Sequence, residues 1–366
     1  MKNIGHYLTQ KTDIINREIQ KLLDRWNFAE PLNGAIRYIL ESGGKRIRPV
    51  LTLISCEAVE GSTDSAIPAA IAIELIHNAS LLWDDVIDAD ELRRGKLTVH
   101  KKWDKSVAIL AGGMITTKAL ELISKYKNLL ELYLNAVGKM IEGQMLDISK
   151  SIDLTSQPFE SKSEVEIFDT LRKRFQEKMY QGMEWGEDAD SEKLADFTEF
   201  EEERTYFNMI AKKTSALMKL ATNMGALLGG GTQEEIDALT DYGFYVGLAF
   251  QVRDDLIGIL SNEQALGKPI GSDLRQGKLN LYTIFALRNL EDEKLEEFFK
   301  LMQTRTDSTA IQKGRQILED CGALRYAKEK LQLVAEKGRN ALAPLKDSES
   351  KRVLNQLITF IIERNF

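Results

Sequence analysis

The chain has 366 residues, 43% of them hydrophobic and 29% charged, and a formal net charge of −7. This composition is typical of a globular protein, and the acidic balance argues against binding of nucleic acid through overall charge. We expect no transmembrane segment, because spanning a bilayer takes roughly 20 consecutive apolar residues. With no recognisable signal peptide and only Cys56 and Cys321, which we expect to be reduced, the sequence favours a cytoplasmic protein.

Apolar residues recur at three- and four-residue spacing in most segments, which predicts an all-α protein. We expect a single domain over residues 1–366, folded as one large helical bundle. A polar and acidic stretch at 151–192 has too few apolar residues for its own core and is predicted to be a surface insertion. The predicted helices cover residues 4–26, 32–42, 48–59 and 67–88, then begin near 104, 129 and 200, with helical pattern continuing to 366.

A dense charge pattern, LLWDDVIDADELRRG, ends the fourth predicted helix. At 100° per residue, His77, Asp84 and Asp88 fall within about 40° of one another on this helix. Two carboxylates one turn apart repel each other unless a cation lies between them. Carboxylate oxygens together with retained waters are what Mg²⁺ prefers. Read alone, the stretch fits a metal site and a solvated face of ion pairs about equally well.

A second acidic pair occurs in GLAFQVRDDLIGI, where Gln251 and Asp254 are predicted to share one helical face. Asp254 and Asp255 are predicted to end a long apolar helix, as the first acidic pair does. Two such pairs suggest two helices that face each other across a cavity and clamp a diphosphate through metal ions. This second pair favours the metal site over the solvated face.

Basic residues that could hold phosphate groups also cluster along the chain. ESGGKRIRP places Lys45, Arg46 and Arg48 after a glycine pair, and arginine can bind phosphate oxygens with two parallel hydrogen bonds. Lys213 and Thr214 are adjacent in MIAKKTSAL. Two further lysines, Lys268 and Lys278, lie in ALGKPIGSDLRQGK.

Together these motifs resemble those of the trans-isoprenyl diphosphate synthases, the polyprenyl synthetase family. GGKRIRP, LIHNASLLWDDVIDADELRRG, TVH, GQMLD, KKTSAL, GLAFQVRDD and GKPIGSD follow that family's order over roughly residues 43–278. The resemblance implies the isoprenoid synthase fold, a helical bundle around a central catalytic cavity, and a homodimer. It also implies a Mg²⁺-dependent prenyltransferase that condenses isopentenyl diphosphate with an allylic diphosphate, head to tail.

The resemblance also implies which residues bind metal and which lie near the reacting carbons. Metal ligands would be Asp84, Asp88 and Asp254, with Asp85 in support. Thr214 and Gln251 would stabilise the allylic cation through their oxygen dipoles. Gln144 and Asp147 would belong to the surrounding hydrogen-bond network.

Substrate-binding residues are implied in the same way. The allylic diphosphate would be held by Arg93, Lys213, Lys268 and Lys278, and isopentenyl diphosphate by Lys45, Arg48, His77 and Arg94. On this assignment Arg93 and Arg94 contact different substrates and are not partners of the neighbouring acids.

Three positions depart from the family pattern. The second acidic motif lacks its third aspartate and has Gly258 there, and Gly113 stands where an aspartate is common. Trp83, directly before the first acidic pair, is bulkier than usual. These departures leave open a regulatory subunit of a synthase heteromer, while the isopentenyl-site residues argue against a terpene cyclase on the same fold.

Product length is predicted from the residues just before the first acidic pair. In this family bulky side chains at that place block the growing chain, and here Ala79 and Ser80 are both small. We therefore expect geranylgeranyl diphosphate, with twenty carbons, as the product. A longer polyprenyl chain stays an alternative, because an open floor permits it as well.

Overall fold

The computed structural model describes residues 4–150, 173, 190–260, 278–303 and 308–364. Lys268 lies outside this part of the chain. So does the predicted insertion at 151–192, except for Lys173 and residues 190–192. Within it, every regular element is helical except one two-stranded hairpin. The prediction of an all-α protein is therefore confirmed.

The chain divides into two compact units whose segments alternate along the sequence. The first unit comprises Met1–Gly138, Ser215–Val246 and Lys337–Phe360. The second unit comprises Lys139–Thr214, Gly247–Glu336 and Ile361–Phe366. That the whole chain acts as one domain stays a prediction.

The long helices that begin in the first segment of the first unit, Met1–Gly138, follow the predicted helices closely. In chain order the elements of this segment are α1 (Ile4–Arg25), α2 (Leu32–Glu41), α3 (Ile47–Ala58), α4 (Thr63–Ile87), β1 (Leu92–Arg93), β2 (Lys96–Leu97), α5 (Val99–Lys102), α6 (Lys105–Ile123) and α7 (Lys127–Lys150), the last of which continues into the second unit.

The remaining elements complete the two units. In chain order they are α8 (Ser191–Ala195), α9 (Glu201–Ile210), a π-helical segment (Ala211–Ser215), α10 (Ala216–Gly229), α11 (Gln233–Leu260), α12 (Leu281–Asn289), α13 (Asp292–Gln303), α14 (Ser308–Asp320), α15 (Ala323–Ala341) and α16 (Glu349–Glu363). Of these, Ser215–Val246 and Lys337–Phe360 belong to the first unit and the other residues to the second.

Helix α4 forms the core of the first unit, where it packs against α3, α6 and α10. It is apolar on almost every side, as a helix surrounded by other helices must be. The helix begins four residues earlier than predicted, so Pro68 lies inside it rather than in the first turn. By length and composition α4 and α6 could each cross a membrane, but α4 is mostly buried as a core helix and neither is a clear transmembrane segment.

The second unit has an aromatic core built around α9. The rings of Phe197 and Phe207 meet edge to face with centroids 4.7 Å apart, and Phe298 is fully buried. Glu203 is also buried, and it accepts hydrogen bonds from the hydroxyl of Tyr326 and lies 3.8 Å from the ammonium group of Lys330. A buried carboxylate needs such partners to offset its loss of hydration.

The contact between α4 and α6 explains the unusual Trp83. Its indole ring lies directly on Gly112, where an added Cβ atom would come within 2.4 Å of the indole nitrogen. The neighbouring Gly113 is different, because a Cβ atom there would have no heavy atom within 4 Å. Trp83 and Gly112 are therefore complementary in size, and the large side chain requires the small one.

Gly112→Ala is expected to destabilise the protein. An alanine normally stabilises a helix interior by about 0.5–1 kcal/mol over glycine, but overpacking against the half-buried Trp83 ring costs about 1–3 kcal/mol. Chemical denaturation measures the difference. Gly113→Ala, the matched control, is expected to stabilise the protein slightly. Equal effects of the two substitutions would contradict the packing of Trp83 on Gly112.

Candidate active site

In the first unit, the acidic residues of the first motif lie at the end of α4. Asp84 and Asp88 are both half-buried, and the amide nitrogen of Asp88 donates to the carbonyl oxygen of Asp84 at 2.8 Å. The helical spacing predicted from the sequence therefore holds through Asp88, which caps the helix. His77 lies two turns earlier on the same helix, as predicted.

Arg93 is bound to one of these acids, which corrects the expectation that it is not their partner. Its Nε atom donates to Asp85 Oδ1 at 2.5 Å, and its guanidinium lies 3.6 Å from Asp90. Asp85 is only 1% exposed, so its charge requires a close cation. The other arginine, Arg94, has a different environment.

The Arg-Arg-Gly sequence forms the tight turn of the hairpin β1–β2. Arg94 and Gly95 both have positive φ, at 55° and 73°, as the two central residues of a type I′ turn do. This turn directs the Arg94 guanidinium to Ser42 Oγ at 3.1 Å and to the carbonyl oxygen of Gly43. Gly44 has a φ of 139°, a conformation that residues with a side chain rarely adopt, and a Cβ atom there would lie 2.8 Å from the Arg94 guanidinium. Two motifs far apart in sequence thus meet, whereas their use as one substrate site stays a prediction.

The three basic residues after the glycine pair differ in burial and in their contacts. Arg46, with a left-handed backbone φ of 49°, is buried and forms an ion pair with Glu74 at 2.5 Å. Lys45 is exposed and Arg48 is half-buried. Arg46 therefore stabilises the first unit, whereas Lys45 and Arg48 lie closer to the surface.

His77 lies beside Arg48, with 3.2 Å between His77 Nε2 and Arg48 Nη1. Since a guanidinium can only donate hydrogen bonds, Nε2 must be the accepting, unprotonated nitrogen. Burial, and then the charges of nearby arginines of which Arg48 acts most strongly, hold the pKa of His77 well below its ordinary value. The imidazole is therefore neutral at physiological pH and offers its other nitrogen as a donor.

In the second unit, the GQMLD motif on α7 lies against the Lys213 backbone. A Cβ atom at Gly143 would lie 2.2 Å from the amide nitrogen of Lys213, so only glycine permits this approach. One turn further along α7, Asp147 accepts a hydrogen bond from Lys213 Nζ at 2.5 Å, and Lys278 Nζ lies 3.7 Å away. Lys213 and Thr214 lie in the π-helical segment, a distortion that is frequent at functional sites.

Asp147 is a buried carboxylate shared by two lysines. Burial by itself raises the pKa of Asp147, but the charges of Lys213 and Lys278 and their hydrogen bonds outweigh it and lower the pKa below its ordinary value. Asp147 is therefore ionised at neutral pH. One carboxylate thus lies between two ammonium groups, which it holds at one wall of the site.

A chain of hydrogen bonds joins the polar side chains of the second motif. Thr214 Oγ1 donates to Gln251 Oε1 at 2.7 Å, and Gln251 Nε2 donates to Asp255 Oδ1 at 2.8 Å. Tyr206 completes the chain, since its hydroxyl donates to Asp255 Oδ2 at 2.7 Å. Tyr206 holds Asp255, and Asp255 in turn orients the Gln251 amide. The Gln251 amide then orients the Thr214 hydroxyl.

These side chains line a cavity in the second unit with an empty volume of about 670 Å³, including open solvent. Its polar residues are Asp147, Glu202, Thr205, Tyr206, Lys213, Gln251, Asp255, Lys278 and Asn280, and its apolar residues are Met209, Ile210, Leu279 and Ile284. A few convergent polar groups on a partly apolar wall are typical of a ligand site.

The second acidic pair lies within α11, not at a helix end as predicted. Leu256 and Ile259 are buried and continue the helix to Leu260. The two acids have separate partners. Asp255 is held by Gln251 and Tyr206, while Asp254 forms an ion pair with Arg364 at 2.5 Å.

Sequence reasoning missed both Tyr206 and Arg364. Tyr206 precedes Lys213 by seven residues, a helical spacing that could have indicated a shared face, although it carries no charge. The contact of Arg364 with Asp254 spans 110 residues, and no local pattern could indicate it. Gln144 was predicted in the hydrogen-bond network, but its buried amide has no hydrogen-bond partner in the part of the chain that the structure describes.

Comparison with known proteins shows the family of the chain. The family model of the polyprenyl synthetases matches residues 29–169 and 154–320. The chain belongs to the polyprenyl synthetase family. It is therefore a trans-prenyltransferase, and the resemblance found in the sequence motifs is confirmed.

Individual relatives cover nearly the whole chain. A geranylgeranyl diphosphate synthase of Methanosarcina mazei is 35% identical over 337 residues, which cover 92% of this chain and 91% of that protein. The crystal structure of geranylgeranyl pyrophosphate synthetase from Pyrococcus horikoshii is 32% identical, with a TM-score of 0.78 over 99% of this chain and 98% of the other. A polyprenyl synthase from Caulobacter crescentus, complexed with calcium and isoprenyl diphosphate, is 25% identical, with a TM-score of 0.79 over 100% and 98% of the two chains.

Tyr206→Phe tests the hydrogen-bond chain. It removes the donor to Asp255, and the loss of a hydrogen bond to a charged group costs about 1.5–3 kcal/mol. If about 1.4 kcal/mol of this orients Gln251 and Thr214 in the transition state, kcat falls about tenfold while KM changes little. Steady-state kinetics and thermal unfolding are measured together.

Tyr326→Phe is the matched control, since Tyr326 also donates to a buried carboxylate, that of Glu203, in the same unit. It is expected to lower stability and leave kcat within twofold. A Tyr206→Phe variant that is less stable but fully active would show that Tyr206 has a structural role only.

Proposed function

We propose that this chain condenses isopentenyl diphosphate with an allylic diphosphate, head to tail, and produces geranylgeranyl diphosphate. The pair of lysines on Asp147 carries the proposal, because it places two ammonium groups beside oriented dipoles and apolar walls. Ionisation of an allylic C–O bond needs this combination. The named relatives in Methanosarcina mazei and Pyrococcus horikoshii support the twenty-carbon product.

Mg²⁺ is the metal that we propose for the first motif, at Asp84 and Asp88. Among the described residues no group of three or more His, Cys, Asp or Glu side chains is arranged to hold a metal ion. Mg²⁺ does not require one, because it is commonly bound by one or two carboxylates together with substrate phosphates and waters. The two half-buried carboxylates one turn apart fit this mode, and the calcium in the Caulobacter crescentus complex supports a divalent cation.

The allylic diphosphate is proposed to be held by four cationic side chains. Lys213 and Lys278 would bind its oxygens, with Arg93 and Lys268 as further contacts, while Asp147 keeps the two lysines ordered. Bound Mg²⁺ would add positive charge to the departing diphosphate. Fixed cations in a site of low polarity stabilise developing negative charge strongly, since they need no reorganisation during the reaction.

Isopentenyl diphosphate is proposed to bind at the glycine-pair loop of the first unit. Lys45, Arg48 and Arg94 provide the positive charge, and the neutral His77 provides a hydrogen-bond donor. Arg94 now contacts backbone oxygen and a hydroxyl group rather than a carboxylate. Exchange of these neutral acceptors for a diphosphate therefore breaks no ion pair.

Thr214 and Gln251 are proposed to face the reacting carbons. The chain from Tyr206 through Asp255 sets the direction of the Gln251 amide, so its dipole is oriented before the substrate binds. The allylic C–O bond first breaks and its electron pair leaves with pyrophosphate, and the double bond of isopentenyl diphosphate then attacks the allylic cation to form the new C–C bond. The proton that is then lost passes to pyrophosphate, and no protein nucleophile takes part.

We also propose a homodimer in the cytoplasm. Large apolar side chains are exposed in both units: Ile109, Leu110, Leu132 and Leu134 in the first, and Ile141, Met145 and Ile148 on α7 in the second. Exposed apolar residues in such number support association with another chain. The free thiols of Cys56 and Cys321 fit a reducing compartment.

Product chromatography tests the proposed reaction. The purified chain, supplied with farnesyl diphosphate, isopentenyl diphosphate and Mg²⁺, is expected to form geranylgeranyl diphosphate and to release pyrophosphate. Asp84→Ala is expected to lower turnover at least 100-fold, because loss of an electrostatic contact in the transition state costs about 2.7–4 kcal/mol.

The exposed Asp64, on the first turn of the same helix, provides the control Asp64→Asn, which should keep full activity. An inactive wild-type chain would favour a regulatory subunit. A product longer than twenty carbons would favour the longer-chain synthase. Full turnover in folded Asp84→Ala would exclude the metal role.

Ala79→Phe tests the control of product length. Ala79 is fully buried on α4, and a phenyl group there would fill the space proposed for the growing chain. With geranyl diphosphate as primer, the variant is expected to stop at fifteen carbons. The control Ala70→Leu enlarges an equally buried residue on the opposite face of α4 and should lower stability without shortening the product. Unchanged products from Ala79→Phe would contradict the proposed floor.

A further inference from the structure

Arg364, directly after α16, is bound firmly to the second aspartate motif. Its guanidinium forms the ion pair with Asp254, donates to the carbonyl oxygen of Phe250 at 3.1 Å, and lies 3.9 Å from the centre of the Phe250 ring. The Arg364 side chain is only 6% exposed, whereas that of Asp254 is 41% exposed. The cation is thus the more deeply buried partner of this pair.

The backbone of Arg364 is held as well. The carbonyl oxygen of Arg364 accepts a hydrogen bond from Arg253 Nε at 2.8 Å and a second one from Arg253 Nη2. Arg253 therefore holds the backbone at Arg364, and the guanidinium of Arg364 holds the side chain of Asp254. Contacts to both backbone and side chain show a built arrangement, in which loss of Asp254 would leave a buried cation without its carboxylate.

The other positions of the second motif offer little to a metal ion. Both carboxylate oxygens of Asp255 accept hydrogen bonds, from Tyr206 and Gln251. Gly258, where the motif would carry a third acid, has no side-chain oxygen. A divalent cation at Asp254 would also lie close to the guanidinium of Arg364, and like charges repel strongly at this distance in a partly buried site.

We propose that Arg364 supplies, at the second aspartate motif, the positive charge that a divalent cation would otherwise supply, and that it keeps metal ions from Asp254. This proposal rests on the proposed function, because it assigns a different source of positive charge to each of the two aspartate motifs. Asp84 and Asp88 would hold the metal, and Asp254 would hold Arg364. It also replaces the prediction that Asp254 is a metal ligand, and it makes the absence of an acid at Gly258 understandable.

Titration with Mn²⁺ tests this division without any substrate. Electron paramagnetic resonance counts the free Mn²⁺ ions, and the full-length chain is compared with three variants. Arg364→Gln removes the charge, Arg364→Lys keeps it, and Arg315→Gln removes a half-exposed arginine elsewhere in the second unit that pairs with Glu319. Thermal unfolding shows whether each variant is folded.

Arg364→Gln is expected to gain a Mn²⁺ site or to bind Mn²⁺ at least tenfold more tightly, and Asp254→Asn added to this variant should abolish the gain. Arg364→Lys and Arg315→Gln should bind Mn²⁺ as the wild type does. Binding by Arg364→Gln that matches the wild type in number and affinity would overturn the proposal.

If Arg364→Gln does not fold, Asp254→Asn in the wild-type background still decides the question. It should leave Mn²⁺ binding unchanged, and the loss of a Mn²⁺ site in this variant would overturn the proposal. The proposed function is judged separately, from synthase activity and from the effect of Asp84→Ala on Mn²⁺ binding. Either idea can therefore fail alone.

Discussion

The ion pair between Lys213 and Asp147 is the interaction on which the second unit's cavity depends. Two ammonium groups beside an apolar wall would repel each other and would be costly to desolvate. Asp147 makes the arrangement stable, because it approaches Lys213 closely and lies near Lys278 while remaining ionised. A single carboxylate thus lies against both lysines and stabilises the pair. Gly143 makes this geometry accessible by letting α7 approach the Lys213 backbone.

The cations of the first unit are also stabilised, but by different kinds of contact. Arg46 is neutralised by Glu74 and Arg93 is bound to Asp85, and both acids are buried. Arg94 instead contacts a carbonyl and a hydroxyl group, which stabilise its position without cancelling its charge. His77 remains neutral beside Arg48 and so adds no further repulsion. In each unit some cations stabilise the fold and others stay accessible to an anion.

How much could be predicted from the sequence depended on the distance between partners along the chain. The all-α fold and the alignment of His77, Asp84 and Asp88 on one helix were predicted, because helical periodicity is a local signal. The hairpin at Arg94 was missed, since strands of two residues leave no alternating pattern. Trp83 could not be explained until Gly112 was seen beneath it, and Arg364 could not be placed because its contact with Asp254 spans 110 residues. The motifs themselves indicated residue types, whereas only the structure separated Arg46 from Lys45 and Arg48.

Isothermal titration of the full chain with inorganic pyrophosphate, with and without Mg²⁺, tests directly whether these cations hold a diphosphate. Pyrophosphate carries the charge of the leaving group without the reacting carbons, so its binding reports on the cations alone. We expect Mg²⁺ to tighten binding at least tenfold, and we expect Lys213→Met to weaken it by a similar factor, about 1.4 kcal/mol. Pyrophosphate binding that is indifferent both to Mg²⁺ and to the loss of Lys213 would contradict the view that these charges are arranged to hold a diphosphate.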